Sequence, residues 1–170
     1  MRAKAVWVSC LVLCACAAPV PLAARFDPRE VAWFDGTGTN SIEGSAILRS
    51  DSGGVKNCAA LPVVLFPASS YARERMRALY GSEEEGFNPI LGGHPADFAD
   101  DDPRYAATAR KVRCDAHGRF AFHALPDGDY YLVALVTWKE GRYLRLEQGG
   151  YLMQHVQVQA GESKEVLLAH

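Results

Sequence analysis

From Asp115 to Val136 the chain follows a pattern that only a fold of short, turn-linked strands accommodates. Phe120 and Phe122 alternate with Arg119, Ala121 and His123, which gives a strand one apolar face. Asp115-Ala116-His117-Gly118 before it and Leu125-Pro126-Asp127-Gly128-Asp129 after it are turn sequences; Gly is free to take positive φ, and Pro and Asp favour chain reversal. Tyr130 to Val136 is apolar on both faces, as in a central strand covered on both sides. A slip of one residue would turn both phenylalanines toward water, so the two turns and the alternation specify one register.

Further strands are expected at Ser41–Leu48, Leu61–Pro67, Ala107–Cys114, Arg142–Leu146, Tyr151–Val158 and Glu165–Leu168. Arg110, Val112 and Cys114 share one face of their strand and Lys111 and Arg113 the other, which suits an edge. Gly149-Gly150 and Ala160-Gly161-Glu162 are expected to separate the last strands. Tyr71–Tyr80 differs: Ala72, Met76, Leu79 and Tyr80 recur at helical spacing, Ser69 or Ser70 can cap the start, and Gly81 can end it. Ser82–Pro103 is expected to be a long acidic loop. The expected fold is therefore all-β: an antiparallel Greek-key β-sandwich of about seven strands, with one short helix and the acidic loop inserted. With 49% hydrophobic and 22% charged residues among 170, the chain suits one globular domain and not a disordered one. Its 18 basic residues face 20 acidic ones without a basic block, so no nucleic-acid partner is expected.

Asp115, Gly118, Phe120, Phe122, Leu125, Pro126, Gly128, Tyr130 and Leu132 match the pattern D-x-x-G-x-F-x-F-x-x-L-P-x-G-x-Y-x-L. In this the chain resembles the carboxypeptidase regulatory-like domains, whose fold is a transthyretin-like (prealbumin-like) β-sandwich. The resemblance implies that fold over residues 36–170 and says little about task, since one fold hosts many. Transthyretin-like hydrolases end in Tyr-Arg-Gly-Ser. This chain ends Val166-Leu167-Leu168-Ala169-His170, so that activity is not carried over.

The N-terminus carries Arg2 and Lys4, then an apolar run from Ala5 to Ala15 that is too short to span a bilayer. The run ends Leu13-Cys14-Ala15-Cys16, which resembles a bacterial lipobox. Residues 1–15 are then a lipoprotein signal peptide, Cys16 is the lipidated residue, and residues 16–35, rich in proline, are a tether. Ala17 is compatible with transfer to the outer membrane, on its periplasmic face. A plain signal peptide cut near Ala18 or Ala24 is the alternative. Two cysteines remain, Cys58 and Cys114. In an oxidising compartment a disulfide is their simplest fate, with a redox or metal site as the rival.

No catalytic constellation stands out, and the chain is read as a non-enzyme without cofactor or metal. Asp100, Asp101 and Asp102, with Asp97, could offer hard oxygens to a cation, but they lack the spacing of a calcium loop. His94, His117, His123 and His155 show no ligand spacing. Trp33, Phe34, Tyr71, Tyr80, Tyr105, Trp138, Tyr143 and Tyr151 offer aromatic surface. The candidate binding residues are thus Trp138, His94, Asp100, Asp101 and Asp102. The expected role is a lipid-anchored domain that binds or scaffolds an envelope protein or polymer through residues 71–103. The alternatives are a carbohydrate- or peptide-binding module, or an enzyme with its site in that insertion.

Overall fold

A computed structural model describes residues 19–94, 97–141 and 145–170. It is a β-sandwich, as the alternation predicts. The strands are β1 (Asn40–Arg49), β2 (Val55–Asn57), β3 (Pro62–Pro67), β4 (Glu85–Pro89), β5 (Arg110–Arg113), β6 (Arg119–Leu125), β7 (Gly128–Glu140), β8 (Leu146–Val158) and β9 (Ser163–Ala169). The helices are α1 (Pro28–Val31), α2 (Ser70–Tyr80) and α3 (Pro103–Ala107), with a 3-10 turn at Ala32–Asp35.

In the smaller sheet β6 and then β2 pair antiparallel with one side of β1, and β9 pairs parallel with the other, from Ser41 opposite Ser163 to Ile47 opposite Ala169. The larger sheet runs β4-β8-β7-β3-β5, all antiparallel. Ile42, Leu48, Phe120, Phe122, Leu125, Val166 and Leu168 from the first sheet meet Val63, Leu65, Tyr130, Leu132, Val136, Leu152 and Val156 from the second in one buried core. β7 is central and β5 an edge, as their patterns require.

Cys58 follows β2 and Cys114 follows β5, and the two form a disulfide with Cα atoms 5.7 Å apart. The connections they sit in each cross from one sheet to the other, β2 to β3 and β5 to β6. The bond therefore staples two crossovers. Closing 56 residues stabilises by about 4 kcal/mol in the chain-entropy account.

Several expectations need correction. Among the described residues there are nine strands where about seven were expected, and the pairing of β1 with β9 makes the sandwich mixed. The long acidic loop is interrupted by β4, which adds an edge to β8, and ends at α3. β8 starts at Leu146 and runs through Gly149-Gly150 without a break. Gly149 takes φ +94°, and a Cβ there would lie 2.1 Å from the Val136 carbonyl oxygen, so the glycine serves close approach inside a strand. Of the strand expected at Arg142–Leu146, residues 142–144 lie outside the described residues. The presumed tether is in part folded. Phe26 and Val31 are buried with Tyr71, Met76, Tyr105, Tyr131 and Met153 in a second apolar cluster, on the outer face of the larger sheet. That cluster holds α2 in place. Ser69 caps α2 by accepting from the Ala72 amide, and Gly81 ends it in the left-handed region.

Candidate functional site

α2 crosses the outer face of the larger sheet and leaves a groove of about 770 Å³ beside it. Arg75, Met76, Leu79 and Tyr80 of α2 form one wall, at the helical spacing that the sequence displays. Val133 and Leu135 of β7 and Glu147 and Tyr151 of β8 supply the other side; Phe66 of β3 and Tyr105 of α3 also line the groove. These strand residues share the outer face because side chains alternate and the core takes Leu132, Ala134 and Leu152. The rim is the end of β4 and the segment after it, with Pro89, Ile90 and His94.

Asn88 shapes that rim. Its side chain is buried, donates to the His94 carbonyl at 2.9 Å and accepts from the His94 amide at 2.8 Å. His94 thus lines the groove with its backbone clamped. Tyr151 is 42% exposed. Burial, and then the neighbouring Tyr151, push the Tyr80 hydroxyl well above the usual phenol range, so Tyr80 presents a neutral O–H at any ordinary pH.

Arg75 is held unusually firmly. Its side chain is 12% exposed, and Nη1 donates to Asp101 at 2.5 Å and to the Tyr71 hydroxyl at 3.1 Å. Its guanidinium lies 4.1 Å from the Phe98 ring centroid, 4.9 Å from Tyr105 and 5.4 Å from Tyr71. Cation–π contacts of this kind contribute about 1–2 kcal/mol each when partly desolvated. The result is a fixed cation at the groove wall.

The candidate acidic residues do not converge on a ligand. Asp101 pairs with Arg75. Asp102 caps α3 by accepting from the Arg104 amide; the Arg104 side chain first, and then that amide, hold its carboxyl below the usual carboxylate range. Asp100 is exposed in the turn that follows Phe98. Among the described residues no three His, Cys, Asp or Glu side chains gather as a metal site would need. Nor do the named aromatics form one surface. Phe34, Tyr71 and Tyr105 are buried, Trp33, Tyr80 and Trp138 half-buried, and Tyr143 lies outside the described residues. Trp138 belongs to a smaller pocket of about 240 Å³ at the end of the sandwich, with Phe87, Gln148 and His170; its indole N–H donates to Glu140 at 2.8 Å.

The sequence therefore pointed to His94 and to the 71–103 insertion as candidates, but within that insertion did not single out Asn88, and outside it did not mark Leu135 or Glu147. Nothing local marks those three. They join the groove only because β4 pairs with β8, and β8 with β7.

No family model and no curated protein matches the chain. Among solved structures, the crystal structure of a "putative carbohydrate binding protein" from Pseudomonas aeruginosa is similar to it. The TM-score is 0.73 and the identity 27%, over 86% of this chain and 99% of that one.

Proposed function

We propose that the protein is a non-catalytic carbohydrate-binding domain of the bacterial cell envelope, anchored through lipid on Cys16, with its site in the α2 groove. The observation that carries this reading is the groove itself. It sets an exposed tyrosine ring and a second, half-buried one beside His94, Glu147 and Arg75, with Asn88 holding the His94 backbone in place. Sugars are bound in that manner, with C–H faces on aromatic rings and hydroxyls on planar polar groups. The similarity to the Pseudomonas aeruginosa structure supports the same reading. The Asp115–Leu132 pattern supports placing the domain with the carboxypeptidase regulatory-like sandwiches, and Leu13–Cys16 supports the anchor. Residues 71–94 supply one wall and the rim, in keeping with an insertion that the core does not require.

The test is binding of the intact protein to an array of envelope oligosaccharides, followed by calorimetry on the best binder. Tyr151→Ala is expected to weaken binding at least tenfold, about 1.4 kcal/mol, with the unfolding temperature unchanged. The exposed His123→Ala, on the smaller sheet, should leave affinity as it is. Loss with Trp138→Ala but not Tyr151→Ala would move the site to the sandwich end. Retention of no saccharide would refute the reading.

A further inference from the structure

The groove's floor is apolar over most of its length, while Arg75, already paired with Asp101, stands on the α2 wall. Phe66, Met76, Leu79, Val133 and Leu135 make an apolar stretch between α2 and the sheet, and Asn88, His94 and Glu147 gather by the rim with Tyr151. A free oligosaccharide carries hydroxyls around every ring. Laid along the apolar stretch, it would leave several of them without partners, which is costly. At the same rim Ile90, after β4, and Tyr151, in β8, are exposed. A ligand that matches this surface has a sugar head and a hydrocarbon tail.

The position of the chain's N-terminal segment points the same way. Val20 bridges to Phe98, its amide donating to the Asp97 carbonyl at 2.9 Å and its carbonyl accepting from the Ala99 amide at 3.1 Å. The Phe98 ring packs against the Arg75 guanidinium, and Arg75 lines the groove. Only four residue steps separate Cys16 from Val20, a reach of at most about 14 Å. A lipid on Cys16 would hold this side of the domain close to the bilayer, where sugar-headed amphiphiles reside.

We infer that the groove binds a glycolipid-type amphiphile, its saccharide on the Asn88–His94–Tyr151 end and its alkyl chain along Met76, Val133 and Leu135. This rests on the sugar-binding reading and on the anchor at Cys16. It also accounts for Met76 and Leu79 on the α2 wall beside Arg75 and Tyr80.

The probes are hexyl, octyl and decyl β-glycosides with glucose, maltose and N-acetylglucosamine heads, the matching free sugars, and decylphosphocholine. All are titrated into the intact protein below their critical micelle concentrations. Affinity for at least one head is expected to rise severalfold for each two methylenes added, within a ceiling of about fourfold per methylene. Leu135→Gln should flatten that dependence, with its fold checked by thermal unfolding; the tail series on the unaltered protein decides the matter even if that variant is unstable. Free sugars that bind as tightly as their decyl glycosides would overturn the amphiphile inference and leave the sugar reading standing. Decylphosphocholine that binds as tightly as the glycosides would overturn the sugar reading and this inference with it. Binding of none of the glycosides or sugars would overturn both.

Discussion

Asn40 shows how much one buried amide can organise. Its Nδ2 donates to the Leu125 carbonyl at 3.0 Å and to Asp127 at 2.8 Å, and its Oδ1 accepts from the Glu162 amide at 2.8 Å. Asp127 in turn accepts from the Ala160 amide at 3.0 Å. The start of β1, the β6–β7 turn and the β8–β9 turn are thereby tied at one end of the sandwich. Asn40→Ala leaves the Leu125 carbonyl without its side-chain donor and the Glu162 amide without its side-chain acceptor, at a cost of about 2–3 kcal/mol. A drop of about 5–10 °C in the unfolding midpoint is expected for a domain of this size, and calorimetry checks it; an unchanged midpoint would show that water takes the amide's place. In the sequence Asn40 is one more polar residue in a Gly-Thr loop, because its partners lie 85 and more positions away. Gly128 carries a similar hidden constraint. As part of Pro-Asp-Gly it reads as a turn residue, yet a Cβ there would lie 2.4 Å from the Trp33 ring. Turn chemistry was legible at both positions; the non-local contact that makes each residue necessary was not.

At the scale of elements, legibility followed periodicity. β6 alternates, α2 has a 3.6-residue period and β7 is a continuous apolar run; each forms where that pattern puts it, β7 extending to Gly128 and Glu140. β4, Glu85–Pro89, has no alternation and is recruited only because β8 offers an open edge. The N-terminal segment has three prolines and no period, so it reads as a tether, yet it closes over α2. Glu74 of α2 is the clasp: its two carboxylate oxygens accept from the amides of Ala23 at 2.8 Å and Ala24 at 2.6 Å. Those bonds lower its pKa from 4.5, that to Ala23 first and that to Ala24 next. A carboxyl depressed by folding adds stability above its unfolded pKa, and that contribution is lost as pH falls through the folded value. The Ala23 and Ala24 amides are therefore expected to be protected from hydrogen exchange at neutral pH and to lose protection selectively once the pH falls below the usual glutamate range and through the lowered value, with intrinsic rates corrected for. Glu74→Gln should make their protection low and indifferent to pH. Protection that persists in acid would mean that the apolar cluster around Phe26 alone holds the segment.

For the whole molecule, that closure bears on where the mature chain begins. A signal peptide cut after Ala24 would remove Val20 with its bridge to Phe98, and both amides that engage Glu74. It would also strip Leu22 and Ala24 from the apolar cluster that seats α2. The fold thus argues against that cut, whereas cleavage before Cys16 leaves every one of these contacts intact. A thioether-linked diacylglycerol with an acyl group on the new amine gives two or more chains, enough for stable anchoring at about 0.8 kcal/mol per buried methylene. The mature N-terminus is accordingly expected to start at Cys16, to carry label after growth with radioactive palmitate, and to fractionate with membranes. Cys16→Ser should abolish the label and the membrane association, while the protein that folds keeps the unaltered unfolding midpoint and, since Cys16 takes no part in the disulfide, the Cys58–Cys114 bond. An unlabelled protein whose mass fixes its first residue after Ala18 would place the domain free of the bilayer. It would also remove the proximity that brings the α2 groove within reach of membrane amphiphiles, and the sugar reading would then stand on the groove alone.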